Sequence, residues 1–421
     1  MPGVCSLAKA RLGAALEVPT PRLWGGGARE ADTPGHHARA RRCRLSLDAV
    51  LPLPCVCRPS PEALVTLPHV ETSGSRALAS RAPRRDGCCP RSLDAYGRPH
   101  VGRTLLALAT SLLPFLALWA LMYFSLSVSY ALTLLLAVPT AGFLLRIYIL
   151  FHDCAHGSLF RERRLNACLG ALLGVLVFTP FAQWRHDHAG HHATGSNLDR
   201  RGIGDVPTLT VAEYRERSSG ARLGYRLFRN PLIMFGLGPV YAMVLQPRWV
   251  KVTAPRRIQR SVWGTDLALL FAAGCLCSLI GWRDFVLVEG PLVPLAGGVG
   301  LWLFYVQHQF DGAWWRRTRD WSFVDAALLG SSYLKLPKML QFFTGSIGLH
   351  HVHHLNPRVP SYFLQRAHNE TPVVRDVREV SLWMGLRAVR LKLWDEDVAR
   401  LVTWAQSRRP RQAPPVSLAD A

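Results

Sequence analysis

Two histidine triplets of identical spacing, and one related pair, limit the folds open to this chain more than any other feature. His350, His353 and His354 lie in GLHHVHHLNPRVPSY, His188, His191 and His192 in WRHDHAGHH, and His152 and His156 in HDCAH. On a helix, positions i, i+3 and i+4 fall on one face, so each triplet can direct its imidazoles into a common volume. A single HxxHH reads equally well as a solvated helix face. Three clusters spread over about two hundred residues, each beside an apolar segment, instead imply one site assembled from distant pieces. The chain must therefore return to the same place three times.

Apolar runs supply the means. Thr104 to Phe124 is just long enough to cross a bilayer core of roughly 30 Å. After the uncharged link SLSV, Ser129 to Leu150 forms a second span that runs into His152, making a hairpin. Asp266 to Trp282 and Pro291 to Gln307 form another pair, joined by the acid-containing loop RDFVLVEG, and His308 emerges at its end. Arg103 precedes the first span and Arg161, Arg163 and Arg164 follow the second, which places both outer ends in the cytoplasm. Leu165 to Ala182 is long enough to tempt a further span, but one crossing there would put the first two clusters on opposite sides. It should dip in and return, or lie buried against the bundle. The same holds for Pro231 to Leu245, broken by Gly236, Gly238 and Pro239. The expectation is an all-α integral membrane protein with four transmembrane helices, one or two re-entrant or interfacial helices, and a cytoplasmic helical cap carrying the histidines.

A net charge of +22 raises the question of nucleic acid. Here the arginines flank apolar spans and crowd the first ninety or so residues, so membrane topology and anionic headgroups explain them and nucleic acid is set aside. The ten cysteines form no CxxC pair, which removes zinc ribbons and thioredoxin-like chemistry. Residues 1–97, rich in Arg, Pro, Gly and Cys without periodicity, read as disordered. Glu17 interrupts the only apolar patch near the start, against a secretory signal. Residues 98–400 read as the membrane domain and 401–421 as a tail. After Val380, LRAVRLKLWDEDVARLVTW reads as an amphipathic helix.

Neutral imidazole suits zinc, copper, iron and nickel alike. The eight clustered histidines with His308 are too many for one ion, so two are expected. Soluble di-iron bundles use ExxH pairs, which do not occur in this chain. An all-histidine dinuclear site at a membrane face suits dioxygen activation by iron. Asp153 and Asp187 are candidates to accept an N–H from a ligand ring and fix its tautomer. His186, His351 and His368 read as surface neighbours, and His36, His37, His69 and His100 as part of the unstructured region.

HDCAHGSLF, WRHDHAGHHATGSNLDRRGIGDV, YVQHQFDGAWW and GLHHVHHLNPRVPSY resemble the histidine boxes of the membrane fatty acid desaturases, closest to the bacterial acyl-lipid Δ12 (ω6) type. The likeness runs from about Leu93 to LWDED, with Ala155 standing where relatives often have Gly. It implies that His152, His156, His188, His191, His192, His308, His350, His353 and His354 bind two iron ions. It further implies that O2 and two electrons introduce a cis double bond into an acyl lipid. No fused carrier segment is evident, so electrons should come from a separate donor such as a ferredoxin, at a bacterial inner membrane with the metal site facing the cytoplasm. Two other readings share these residues: a hydroxylase or ketolase on the same scaffold, acting on carotenoid, sterol or alkane, and a His-rich metal transporter. Transporters place polar ligands near mid-membrane, whereas these histidines sit at span ends.

Residues 1–97 differ in composition from everything after them, and the next methionine is Met122, which raises the reading that this segment is not native coding sequence. Mass spectrometry of the native N-terminus is expected to find no peptides covering Cys43 to Cys57; their detection shows that the segment is made.

Overall fold

The computed structural model describes residues 90–408 other than Ile203. The expectations for Cys43–Cys57, His36, His37, His69 and the rest of 1–89 therefore lie outside the described residues.

Four helices are long and apolar enough to cross a membrane: α1 (Val101–Ser125), α2 (Tyr130–His156), α7 (Arg256–Ile280) and α8 (Trp282–His308). Their outward faces carry leucines such as Leu113 and Leu135, two-thirds exposed, as expected where the solvent is lipid rather than water. The few polar groups between them are paired. Ser125 Oγ and Thr133 Oγ1 meet at 2.8 Å across the α1–α2 turn, and Trp119 Nε1 donates to Glu289 Oε1 at 2.7 Å, tying α1 to α8. Helix α2 ends at Gly157, whose φ of 68° gives the left-handed cap that residues with a Cβ adopt at a cost.

Between the hairpins, α3 (Arg163–Leu176) and α4 (Phe181–Thr194) are bent by 103°. The bend combines Phe178 at φ 56° with Pro180 as the α4 N-cap, and Thr179 N donates to Gly174 O at 2.7 Å. Two glycines let the pair close. A Cβ on Gly170 would fall on the Phe181 ring, and one on Gly174 would stand 2.5 Å from Thr179 O. The apolar stretch thus folds back, as the shared site requires, and α4 brings His188–His192 to the same end of the bundle as His152. After α5 (Val211–Glu216) and α6 (Ser219–Phe228), the segment Ile233–Arg248 departs from α6 at 59° and includes two π-helical turns, Ile233–Leu237 and Val240–Leu245.

Beyond α8 the chain forms a cap of short elements: α9 (Phe323–Leu328), α10 (Lys338–Phe343), α11 (His350–Leu355), α12 (Ser361–Glu370), α13 (Pro372–Arg375) and α14 (Leu382–Ala388). Two small sheets interrupt it. β1 (Tyr333–Lys335) pairs in parallel with β2 (Glu379–Ser381), and β3 (Leu393–Asp395) pairs antiparallel with β4 (Arg400–Val402). The cap core includes Leu349, Val352, Leu355, Leu364 and Val374, all essentially buried.

Four sequence expectations are corrected. Residues 90–94, expected to be disordered, carry structure: Pro90–Leu93 is a 3-10 turn, Leu93 is fully buried, and Asp94 accepts from Asn356 Nδ2 at 3.2 Å. His100, placed with the unstructured region, is the N-cap of α1 and accepts from Arg103 N. RDFVLVEG is not a loop. The turn between α7 and α8 is made at Gly281, φ 86°, and the acidic stretch forms the first turns of α8, with Asp284 at the favourable N-terminal end of the dipole. Finally, LKLWDEDVARLV is a hairpin and not a helix, reaching past the expected tail boundary at 401. Leu393, Trp394, Leu401 and Val402 are buried, because one face of the hairpin covers Leu198 and Trp315 while the other covers Tyr214 and Tyr225.

Gly174→Ala is expected to destabilise the protein by about 1–3 kcal/mol, since the Thr179 carbonyl cannot yield without opening the bend. Gly224→Ala, with nothing within 4 Å of its Cβ, should be neutral or slightly stabilising. Thermal unfolding in detergent compares the two.

Candidate metal centre

The three boxes arrive on three different elements and each is held by the others. Box one ends α2, where the Asp153 carboxylate accepts from Ser361 N at 2.9 Å, the residue that opens α12 just after the third box. Box two rides on α4. Box three is the six-residue helix α11, seated by Leu334 N donating to Gly348 O at 2.8 Å and Gln307 Nε2 donating to Ile347 O at 2.9 Å. Gly348 is required there, because a Cβ would collide with the Leu334 carbonyl.

The nine predicted histidines all come together, but not as three separate fans. They form two groups, His152, His156, His188, His192 and His353 in one and His191, His308, His350 and His354 in the other, with the potential ligand atoms of each group within 4.8 Å of one another. Each HxxHH box is divided: i and i+4 serve one group and i+3 the other. The expectation of one common volume per triplet is corrected accordingly. At about 100° per residue, positions i+3 and i+4 stand to either side of i, so one helix can reach two centres.

Within the first group the Nε2 atoms of His156 and His188 are 3.0 Å apart, those of His188 and His192 3.1 Å, and those of His192 and His353 3.0 Å. His152 stands beside them, its ring centroid 4.5 Å from that of His353. In the second group His191, His308, His350 and His354 make a closed ring of Nε2 contacts of 3.0 to 3.2 Å. Two ring nitrogens at about 2.1 Å from one ion and at right angles to each other lie about 3.0 Å apart. The observed spacing is therefore that of neighbouring ligands.

The other ring nitrogens say the same. A carboxylate or carbonyl can only accept, so His191 Nδ1 donates to Asp205 Oδ1 and His308 Nδ1 donates to Gly330 O at 3.3 Å. His152 Nδ1 makes a longer contact, 3.4 Å, with Asp153 Oδ1. Each such bond leaves Nε2 with its lone pair aimed into the group. Burial, reinforced by neighbouring histidines, holds the pKa values of His350, His353 and His354 well below the ordinary imidazole value. Neutral rings with converging lone pairs repel one another unless a cation stands between them, and the donor set fits two transition-metal ions.

Asp205 was missed from the sequence and takes the place expected for Asp187, whose carboxylate meets no clustered histidine among the described residues. The signal was present in GIGD: Gly204 at φ 66° lies against the Asp187 carbonyl, where a Cβ would be 2.8 Å away. That close approach delivers Asp205 to His191. His186 is exposed as expected, but His351 and His368 are buried together, 3.2 Å between Nε2 and Nδ1, with Val374 O 3.0 Å from His351 Nε2. Burial and His368 lower the His351 pKa to about 3. This pair packs the back of α11 rather than facing either group.

Aromatic rings line the groups. Trp184 stacks on His188 at 4.3 Å and 19°, with Tyr148, Phe151 and Phe181 around it, while Phe304 contacts His191 and His308.

Comparison with known proteins places this geometry. The family model described as fatty acid desaturase matches residues 125–383. A fatty acid desaturase of Bacillus subtilis (strain 168) is 45% identical over 328 residues, 78% of this chain and 93% of that one. Two proteins of Synechocystis sp. match over 52% of this chain. The sn-1 oleoyl-lipid 12-desaturase is 27% identical over 63% of its length, and the sn-1 acyl-lipid omega-3 desaturase (ferredoxin) 26% over 62%.

Asp205→Asn should keep the shape of the site while weakening metal retention about 10–100-fold, whereas Asp187→Asn should leave it unchanged. Metal per chain, measured by mass spectrometry of the element after graded chelation, checks both.

Proposed function

Because this chain belongs to the fatty acid desaturase family, whose members are oxidoreductases, we propose that it is a membrane acyl-lipid desaturase of the Δ12/ω6 kind, using O2 and two electrons at a di-iron centre. The observation that carries the reading is the pair of all-histidine groups at one end of four apolar helices. The position of the double bond rests on resemblance to proteins of that type, among them the Synechocystis 12-desaturase.

His152, His156, His188, His192 and His353 would hold one iron ion, and His191, His308, His350 and His354 the other. When bound, the ions supply the oxidising chemistry by which two hydrogens leave adjacent methylenes and O2 is reduced to water. The chain's own part is to hold the rings neutral and oriented, through Asp205 and Gly330 at Nδ1, and to keep water from the centre with the Trp184, Phe151 and Phe304 rings. Those rings also offer the apolar surface along which an acyl chain would lie. Arg103, Arg161, Arg163 and Arg164 support a cytoplasmic position for the histidine-bearing end through the positive-inside tendency. A separate acidic donor, such as a ferredoxin, suits this basic face, and one Synechocystis relative carries ferredoxin in its name.

Gas chromatography of total fatty acids from a host making the protein is expected to reveal new diunsaturated chains, absent with His353→Ala. Oxygenated acyl products in their place would make the enzyme a hydroxylase, and an unchanged profile under confirmed electron supply would overturn the reading.

A further inference from the structure

Away from the histidines, a cavity of about 700 Å³ opens between the end of α6, the segment after α14 and the chain following β4. That volume lies within the roughly 300–1,000 Å³ of small-molecule sites. Its lining contributes Arg226, Arg229, Arg390, Lys392 and Arg408, with no carboxylate among the described residues. Among the described residues, none of the five is in an ion pair there.

Two of these cations are buried. Arg229 is fully enclosed and donates only to neutral oxygens, among them Pro207 O, Tyr305 Oη and Gln309 Oε1, while its Nε has no partner. Lys392, 6% exposed, donates to the Arg229 carbonyl at 2.6 Å. Burial and the adjacent Arg229 push the Lys392 pKa down to about 8. Buried positive charge without a counter-charge is costly, and an anion in the cavity removes that cost. Arg226, at the rim, is oriented by Nε donating to Tyr214 Oη at 2.6 Å and by the Trp404 ring, 5.4 Å from its guanidinium carbon, which leaves its Nη groups for a ligand.

The level of the cavity in the fold selects the anion. Arg229, Asn230 and Pro231 occupy the 59° break between α6 and the apolar segment that follows it. Leu223 and Leu227 expose one stripe of α6 with Arg222 and Arg226 beside it, and Leu232 is 83% exposed just past the break. Such an amphipathic helix suits the plane of the interface, which would set the break at headgroup depth.

We propose that this cavity binds the phosphoryl group of a membrane glycerophospholipid. Arg226, Arg390 and Arg408 meet the phosphate from the rim, and Lys392 and Arg229 supply charge from below. Through Gln309, which follows His308, the site also abuts the helix end that carries one of the clustered histidines. The assignment depends on membrane placement and not on the reaction assigned above, so its test needs no turnover.

Full-length protein in detergent is titrated calorimetrically with dihexanoylphosphatidylglycerol, with a dihexanoylglycerol glycoside of the same chain length, and with glycerophosphoglycerol, which is the headgroup without chains. The phospholipid should bind saturably, and the two other probes about tenfold or more weakly. Arg390→Gln with Arg408→Gln, both exposed and so tolerated by the fold, should weaken phospholipid binding about tenfold, the scale of losing charge-assisted hydrogen bonds. Arg319→Gln, a surface arginine elsewhere, should change nothing. Unaltered affinity in the double variant, or equal binding of the glycoside, overturns the phosphoryl site. Glycerophosphoglycerol binding as tightly as the lipid overturns the lipid source in favour of a soluble phosphoester.

Discussion

Mutual repulsion among buried, neutral imidazoles is the constraint on which the rest of the molecule depends. Their ring nitrogens face one another at 3.0 to 3.2 Å, too close to admit water between them, an arrangement the protein alone would not favour. The surrounding structure has to force it. The Asp153 carboxylate fastens the end of α2 to Ser361, Gly348 packs against Leu334, and Gly204 delivers Asp205 to His191. Each of these is a close backbone approach or a buried polar bond, and the first joins segments 208 residues apart. Metal affinity and fold stability are coupled in such a site, because the strain of gathering the donors is relieved when cations are shared among them.

The membrane helices answer the same constraint on a larger scale. Four long helices anchor the assembly, while α3 and α4 form an apolar pair that turns by 103° and comes back. The turn relies on Gly170 and Gly174 at the contact and on Phe178 in the left-handed region, a conformation costly for a bulky residue. Strain of this kind is sustained when neighbouring packing determines the backbone. Here the Phe151, Phe181 and Trp184 rings fill the space beneath the first histidine group and hold the bend closed.

A second electrostatic imbalance lies around Arg229 and Lys392. Arg229 and Lys392 are buried as cations among neutral oxygens, and that network reaches α8 through Tyr305 and Gln309. The end of α8 is thus clamped from two sides, by the histidine group around His308 and by the arginine beneath it. The cationic network and the second histidine group share one helix end.

The sequence by itself determined the four spans, the fold-back of the α3 and α4 stretch, and the nine histidines that gather, because apolar length and histidine spacing are local properties with few physical outcomes. Only the tertiary structure decided how those histidines are shared, why Asp205 rather than Asp187 meets a ring, and that LKLWDEDVARLV pairs as a hairpin instead of winding into a helix. Those outcomes turn on which neighbour stands within a few ångströms. A pattern read along one segment carries no information about the carbonyl of Leu334 or the ring of Trp315 that another segment brings to it. The burial of Leu93, His351 and His368 escaped the sequence for the same reason: their partners come from remote parts of the cap, and short polar stretches give no periodicity from which to infer them.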